Sequence, residues 1–174
     1  MSQLKQFVPQ EVCLKCLGCC RFSELNSAWL PCLLEEEIQG LVDRKGIPAA
    51  TISLEKKIVP IVREGKEGFF CPFLGTEDNK CRIYNLRPFE CQLYPFLINL
   101  RDKKIILTVD LNCPYISEKI NSPEFKSYVQ YLNEFLNAPA QIKILKDNPQ
   151  VLQAYEEVAE IIEIKLPDER RPHS

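Results

Sequence analysis

Apolar positions along this chain change their spacing several times, and each change marks an element. In residues 29–46, WLPCLLEEEIQGLVDRKG, Leu34, Ile38, Leu41 and Val42 recur at i, i+4, i+7 and i+8, one stripe of a helix. Glu35, Glu36 and Glu37 lead it and Arg44 and Lys45 close it, which suits the helix dipole, while Gly46 and Pro48 stop it. Residues 56–63, KKIVPIVR, are β-branched and strand-like, with Pro60 confining that strand to an edge or a bulge. FFCPFL, the polar loop GTEDNK and CRIY predict a short hairpin with a cysteine on each arm, and Pro88 to Cys91 one helical turn. YPFLINL (94–100) and KIILTV (104–109) flank the charged turn RDKK, a second hairpin.

The last third reads as helical. Ser122-Pro123 is a cap and a first-position proline ahead of Phe125, Tyr128, Val129, Leu132, Phe135 and Leu136 at helical spacing. AQIKILK is a short helix, and Asn148-Pro149 opens another, with Val151, Tyr155, Val158, Ala159 and Ile162 on one side. The expectation is one α+β domain over 1–174: a small cysteine-rich part with short hairpins over 13–114, helices over 122–166 packed on it, and a disordered polar tail over 167–174.

Composition narrows the function. The chain has 174 residues, long enough for a core of its own. Its net charge of −2 gives no basic excess for nucleic acid or an anionic membrane, and no apolar run reaches a membrane span. The opening MSQLKQFVPQEV lacks a signal peptide's apolar stretch, so a cytoplasmic location is expected. The unusual feature is nine cysteines against a single histidine, His173, in the tail. A triad or Cys-His pair has no usable base, and a protein-held metal must be bound mainly by thiolates, which select zinc, copper(I) or iron–sulfur clusters. Disulfides suit neither that compartment nor an odd count with adjacent Cys19 and Cys20.

Cys13, Cys16, Cys19 and Cys20 form C-x2-C-x2-C-C, a spacing that lets thiolates converge, and Gly18 allows close backbone approach. The second set is Cys71, Cys81, Cys91 and Cys113, each beside a turn or a proline. Eight thiols suffice for two four-thiolate sites, or for one cluster with four supporting thiols, and spacing leaves both open. Cys32 reads as a buried free thiol at the start of a helix.

The run C-x2-C-x2-C-C, then Cys71-Pro-Phe-Leu, then C-R-I-Y-x2-R-P-x2-C-x2-Y-P from Cys81 to Pro95, then Cys113-Pro114, resembles the YkgJ-type cysteine-cluster family of zinc- or iron-chelating domains over about residues 13–114. The resemblance implies metal ligation by Cys13, Cys16, Cys19, Cys20, Cys71, Cys81, Cys91 and Cys113, and members are often labelled iron–sulfur proteins. It implies no single reaction.

Arg87 is a candidate for offsetting thiolate charge and donating hydrogen bonds to sulfur, whereas Arg82 reads as a surface ion pair. Tyr84, Tyr94 and Trp29 read as packing residues. Three functions follow: an iron–sulfur protein (a four-iron cluster) with an electron-transfer or redox role and a redox partner, a zinc-stabilised module binding a protein partner, and a metal-dependent enzyme. No P-loop, G-x-G-x-x-G or G-x-S-x-G is present to support the last.

Overall fold

In the computed structural model, residues 4–16 and 18–165 are described. The elements run α1 (Gln10–Lys15), β1 (Arg21–Phe22), α2 (Glu35–Lys45), β2 (Phe69–Phe70), α3 (Phe89–Leu93), β3 (Phe96–Arg101), β4 (Lys104–Val109), α4 (Pro114–Lys119), α5 (Pro123–Leu136), α6 (Pro139–Asp147) and β5 (Ala159–Ile164). Two antiparallel sheets make this an α+β fold: β1 with β2, and β3-β4-β5.

The predicted hairpin forms with Phe96 opposite Val109 and Arg101 opposite Lys104. Asp102 and Lys103 both take positive φ, 49° and 65°, the left-handed pair of a two-residue turn whose twist matches the strands. α5 lays Phe125, Tyr128, Leu132 and Leu136 into the core, and its Ser122 hydroxyl accepts the Phe125 N–H as expected of a cap. Phe96, fully buried, stacks its ring 5.6 Å from Phe125 and 5.3 Å from Tyr128, and Phe7, which leads into α1, meets the same rings.

Buried side chains form two clusters. The larger joins the β3-β4-β5 sheet with α5, α6, Phe89, Leu93 and Cys113. The smaller holds Phe22, Leu30, Leu33, Leu41, Ile58, Phe70, Cys71, Phe73 and Leu74, with Cys20 and Cys81 packed on it. Its sheet is only two residue pairs long, Arg21 with Phe70 and Phe22 with Phe69. Gly68 turns the chain into β2 at φ 84°, where a Cβ would stand 3.0 Å from the Phe22 carbonyl oxygen.

Two expectations are corrected. The helix expected after Asn148 is a single 3₁₀ turn, Pro149–Val151, followed by strand β5. Glu157 has φ 58°, which no helix accommodates, and the free edge of β4 offers backbone partners that β5 takes, from Ile105 with Ile164 to Val109 with Ala159. The apolar residues in 151–162 that mimic a helical stripe include β-branched residues of this strand, so 122–166 is not wholly helical. Its acids pair across the sheet, Glu160 with Arg101 at 2.8 Å and Glu163 with Lys104 at 3.2 Å. The strand expected over 56–63 dissolves into isolated bridges of Lys57 to Cys32, Ile58 to Ile52 and Ile61 to Phe70, because Pro60 has no N–H to continue a ladder. The 167–174 tail, with His173, lies outside the described residues. Among the described residues no helix is long and apolar enough to cross a membrane.

Glu37 joins the two parts. One carboxylate oxygen accepts the Leu34 N–H at the start of α2, 2.8 Å away, and the other accepts the Phe89 N–H at the start of α3, 2.6 Å away. Burial raises its pKa from the ordinary 4.5 to about 7, against the pull of these two N–H groups. A carboxyl raised in the folded state holds a proton that the unfolded chain has given up. Its stabilising contribution is therefore full below about pH 4.5 and lost as pH rises through 7. Urea midpoints should fall over this window, and Glu37→Gln should flatten the slope while costing about 1 kcal/mol for the lost backbone bond. An unchanged slope would assign the titration elsewhere.

Candidate metal centre

The C-x2-C-x2-C-C run spans the end of one element and the start of the next. Cys13 lies in α1, Cys16 ends that helix, and Cys19 and Cys20 occupy the turn into β1, closed by the Arg21 N–H on the Gly18 carbonyl at 2.9 Å. β1 and β2 then carry the first cysteine group to the second. The Arg21–Phe70 pairing sets Cys20 opposite Cys71, and the Cys71 N–H donates to the Cys20 carbonyl at 3.0 Å.

From Cys71 the chain turns sharply, Leu74 N–H to Cys71 carbonyl at 3.1 Å, and Leu74 bridges to Cys81. The predicted hairpin here is thus a tight loop rather than two ladders. Arg63 clamps it through the Leu74 carbonyl while its guanidinium covers the Phe70 ring, 5.0 Å from the centroid. Arg82 forms the surface pair expected of it, 3.2 Å from Asp78. Cys91 sits in α3, whose Phe89 and Leu93 are buried, and Cys113 is the residue that starts α4.

All nine cysteines carry free thiols. The thiols of eight of them bear on one another electrostatically. Burial raises Cys13 to about 11, helped by the charges of Cys19, Cys113 and Cys16. For Cys20, a hydrogen bond with Cys19 pulls the value down. It is outweighed by a bond with Cys71, by burial and by the charges of Cys71 and Cys81, and the result is about 12. Cys19 is exposed as a residue, yet its thiol is driven well above the ordinary value by its bond to Cys20 and by desolvation. Burial also lifts Cys91, with added charge from Cys20 and Cys19, and lifts Cys81 and Cys113. Without a cation these thiols hold their protons, and a metal must displace them.

Arg87 is the cation that acts on this group, lowering Cys13, Cys19 and Cys81. Its guanidinium lies 3.8 Å from the centroid of the Tyr84 ring and donates to the Tyr84 carbonyl at 3.1 Å and to Gln6 Oε1 at 3.2 Å. Tyr94 is half-buried nearby. Its hydroxyl donates to Asp110 at 2.8 Å, and burial, Asp110, Cys19 and Cys113 all raise its pKa. Among the described residues no group of three or more ligand-type side chains is disposed to hold a metal ion. The donor chemistry fits a thiophilic metal: soft sulfurs in one neighbourhood, with a guanidinium to offset their charge.

Cys32 lies apart, 1 % exposed, and the charges acting on its thiol are those of Glu90, Lys57 and Glu55 rather than another cysteine. Its N–H donates to Glu90 at 2.7 Å. Burial raises Glu90 to about 8, and Gln153 also bonds it. Gln153 in turn accepts from Lys57 and donates to the Tyr155 hydroxyl, at 2.7 and 2.8 Å, and Tyr155 packs 5.3 Å from Trp29. This polar network behind α3 has no local signature, since its members come from residues 32, 57, 90 and 153, and only folding assembles them.

Comparison with known proteins agrees with the motif. No solved structure matches this chain. An uncharacterized protein of Methanocaldococcus jannaschii is 30 % identical over 104 residues, which is 57 % of this chain. The match spans about half of that relative's length, 52 %. A family model described as "CxxCxxCC: Putative zinc- or iron-chelating domain" matches residues 12–114, from just before Cys13 to just after Cys113. The chain therefore belongs to the CxxCxxCC family of zinc- or iron-chelating domains, the YkgJ-type cluster that its cysteine spacing resembles.

Proposed function

We infer that this domain holds iron–sulfur chemistry, a four-iron cluster being the centre that four thiolates serve, and that it exchanges electrons with a protein redox partner. The observation that supports this reading is the backbone pairing that brings Cys20, Cys71 and Cys81 to one end of the small sheet, in a chain that matches a zinc- or iron-chelating family over residues 12–114. When bound, the cluster supplies one-electron exchange. The chain's own residues hold it and tune it. Arg87, braced on Tyr84 and Gln6, offsets thiolate charge; Tyr94 and Asp110 wall one side; the exposed Cys13 and Cys19 keep that rim within reach of a partner.

Protein purified without oxygen should be brown, contain iron and acid-labile sulfide, and bleach with dithionite. Arg87→Gln should weaken metal retention about 10- to 100-fold, and should lower the reduction potential, because a cation favours the more negative reduced state. Colourless protein with stoichiometric zinc would replace this reading with a second, a zinc-stabilised binding module. The small size of the cysteine-bearing core favours that alternative, since such a core gains most from a structural metal.

A further inference from the structure

We propose that Glu90 is a positioning residue for Cys91: its carboxylate fastens the short helix that bears this thiol to the Cys32–Lys57 bridge. The proposal rests on the metal-chelating reading only in counting Cys91 among the ligands.

α3 cannot fix its own place. It has five residues, and its backbone closes on itself through the Gln92 N–H to the Pro88 carbonyl and the Tyr94 N–H to the Glu90 carbonyl, both at 2.9 Å. So short a helix does not stand alone in water, and what holds it comes from other segments. Phe89 and Leu93 seat it on the larger apolar cluster. Its polar bonds reach three distant places. The Phe89 N–H, an amide that a helix start leaves open, goes to Glu37 at 2.6 Å. The Gln92 carbonyl accepts from the Gln6 side chain at 3.0 Å. Glu90, the residue before Cys91, works in the opposite sense: it carries its own carboxylate out of α3 to the Cys32 N–H, 2.7 Å away.

The Cys32 end of this bond is equally determined. The Leu33 N–H donates to the Lys56 carbonyl at 2.8 Å, and the Ile58 N–H to the Pro31 carbonyl at 3.1 Å. Cys32 and Lys57 lie between these two bonds as the facing pair that exchanges none. At such a position the N–H points away from the paired segment. Cys32 is buried, so water does not supply the missing partner, and the Glu90 carboxylate does. Gln153 bonds the same carboxylate and is itself held by Lys57 and the Tyr155 hydroxyl, at 2.7 and 2.8 Å. Shifting Cys91 therefore means breaking a buried bond to a charged acceptor and leaving a buried amide unpaired. Residue 32 contributes to this link through its backbone amide, not its thiol.

The test uses the full chain loaded with zinc(II) and compares Glu90→Ala with Glu90→Gln, whose side-chain oxygen still accepts the Cys32 N–H. In the parent, amide exchange followed by NMR should show the Cys32 N–H to be as slow as the Tyr94 N–H. Glu90→Ala should speed both about tenfold, the worth of one buried hydrogen bond, and leave Leu107 and Val109 in β4 unchanged. In that variant a chelator should remove zinc about 10- to 100-fold faster, with N-ethylmaleimide reaching Cys91 ahead of Cys71. Glu90→Gln should match the parent in every readout. Loss in Glu90→Gln equal to that in Glu90→Ala, no change in either, or labelling of Cys91 and Cys71 at one rate in Glu90→Ala would overturn the positioning role. If Glu90→Ala does not fold, the parent decides: a Cys32 amide that exchanges freely while Tyr94 stays slow would overturn the link. A chain that takes up neither zinc nor iron would overturn the chelating reading, and the exchange rates would still decide the link.

Discussion

Stripping the metal from the purified protein should unfold its cysteine-bearing part while the β3-β4-β5 sheet stays folded. The two apolar clusters differ in what else supports them. The smaller, with nine buried residues among those described, has a sheet of two residue pairs, one helix of regular length in α2, and loops held by single bridges. The larger has a three-stranded sheet, its β4–β5 ladder interrupted by one register shift between Leu107 and Thr108, and a 14-residue helix across it. Structural thiolate sites contribute about 10–16 kcal/mol of apparent binding energy, as much as or more than a small domain's whole net stability. Losing that contribution is large beside the net stability that so small a cluster retains once chain entropy is subtracted. Hydrogen exchange after chelation should therefore rise through residues 18–86 toward unprotected rates, with β3, β4 and α5 remaining slow. Uniform loss of protection across the chain would show one cooperative unit, and unchanged protection would show that the fold does not depend on metal.

Phe96→Ala should be the most damaging single change outside the cysteines. Phe96 is 0 % exposed and its ring meets Phe7, Phe125 and Tyr128, joining β3 to α5 and to the segment before α1. Truncating a buried phenylalanine costs about 3–5 kcal/mol in lost transfer energy and cavity. Urea titration should show that loss in the midpoint. Leu54→Ala, at a fully exposed position, should stay within about 0.5 kcal/mol of the parent and serves as the control. Because Phe7 leads into α1, the same substitution should also speed alkylation of Cys13 and Cys16 in the metal-free protein. A destabilised variant with unchanged reactivity there would show that α1 is seated independently of this ring cluster.

Where an element is written in local chemistry, the sequence is enough to find it. The period of Leu34, Ile38 and Leu41, with Gly46 turning left-handed at φ 64°, marks α2. Ser122-Pro123 and the apolar stripe behind it mark α5, and the charged turn at 101–104 marks the β3–β4 hairpin. The cysteine motif is local in the same sense, and it was enough to point to the family and to thiolate chemistry. Glu37 shows the limit. Its place in an acidic first turn is explained by the helix dipole, yet half of its bonding goes to Phe89, 52 positions away.

The sequence by itself determined that this protein's chemistry is sulfur chemistry, since nine cysteines and one tail histidine leave little else. It also determined the helices and hairpin whose signals lie within a few turns of chain. Tertiary structure decided the rest. Residues 159–164 became a strand because the edge of β4 had backbone groups to satisfy. Cys113 came to act on Cys13, 100 positions away, because α1 and α4 pack on one core. Cys32 was set apart because its neighbours are a buried glutamate and a lysine rather than sulfurs. Spacing along a chain limits which thiols can meet, but packing of apolar surface and pairing of backbone donors select which of them do.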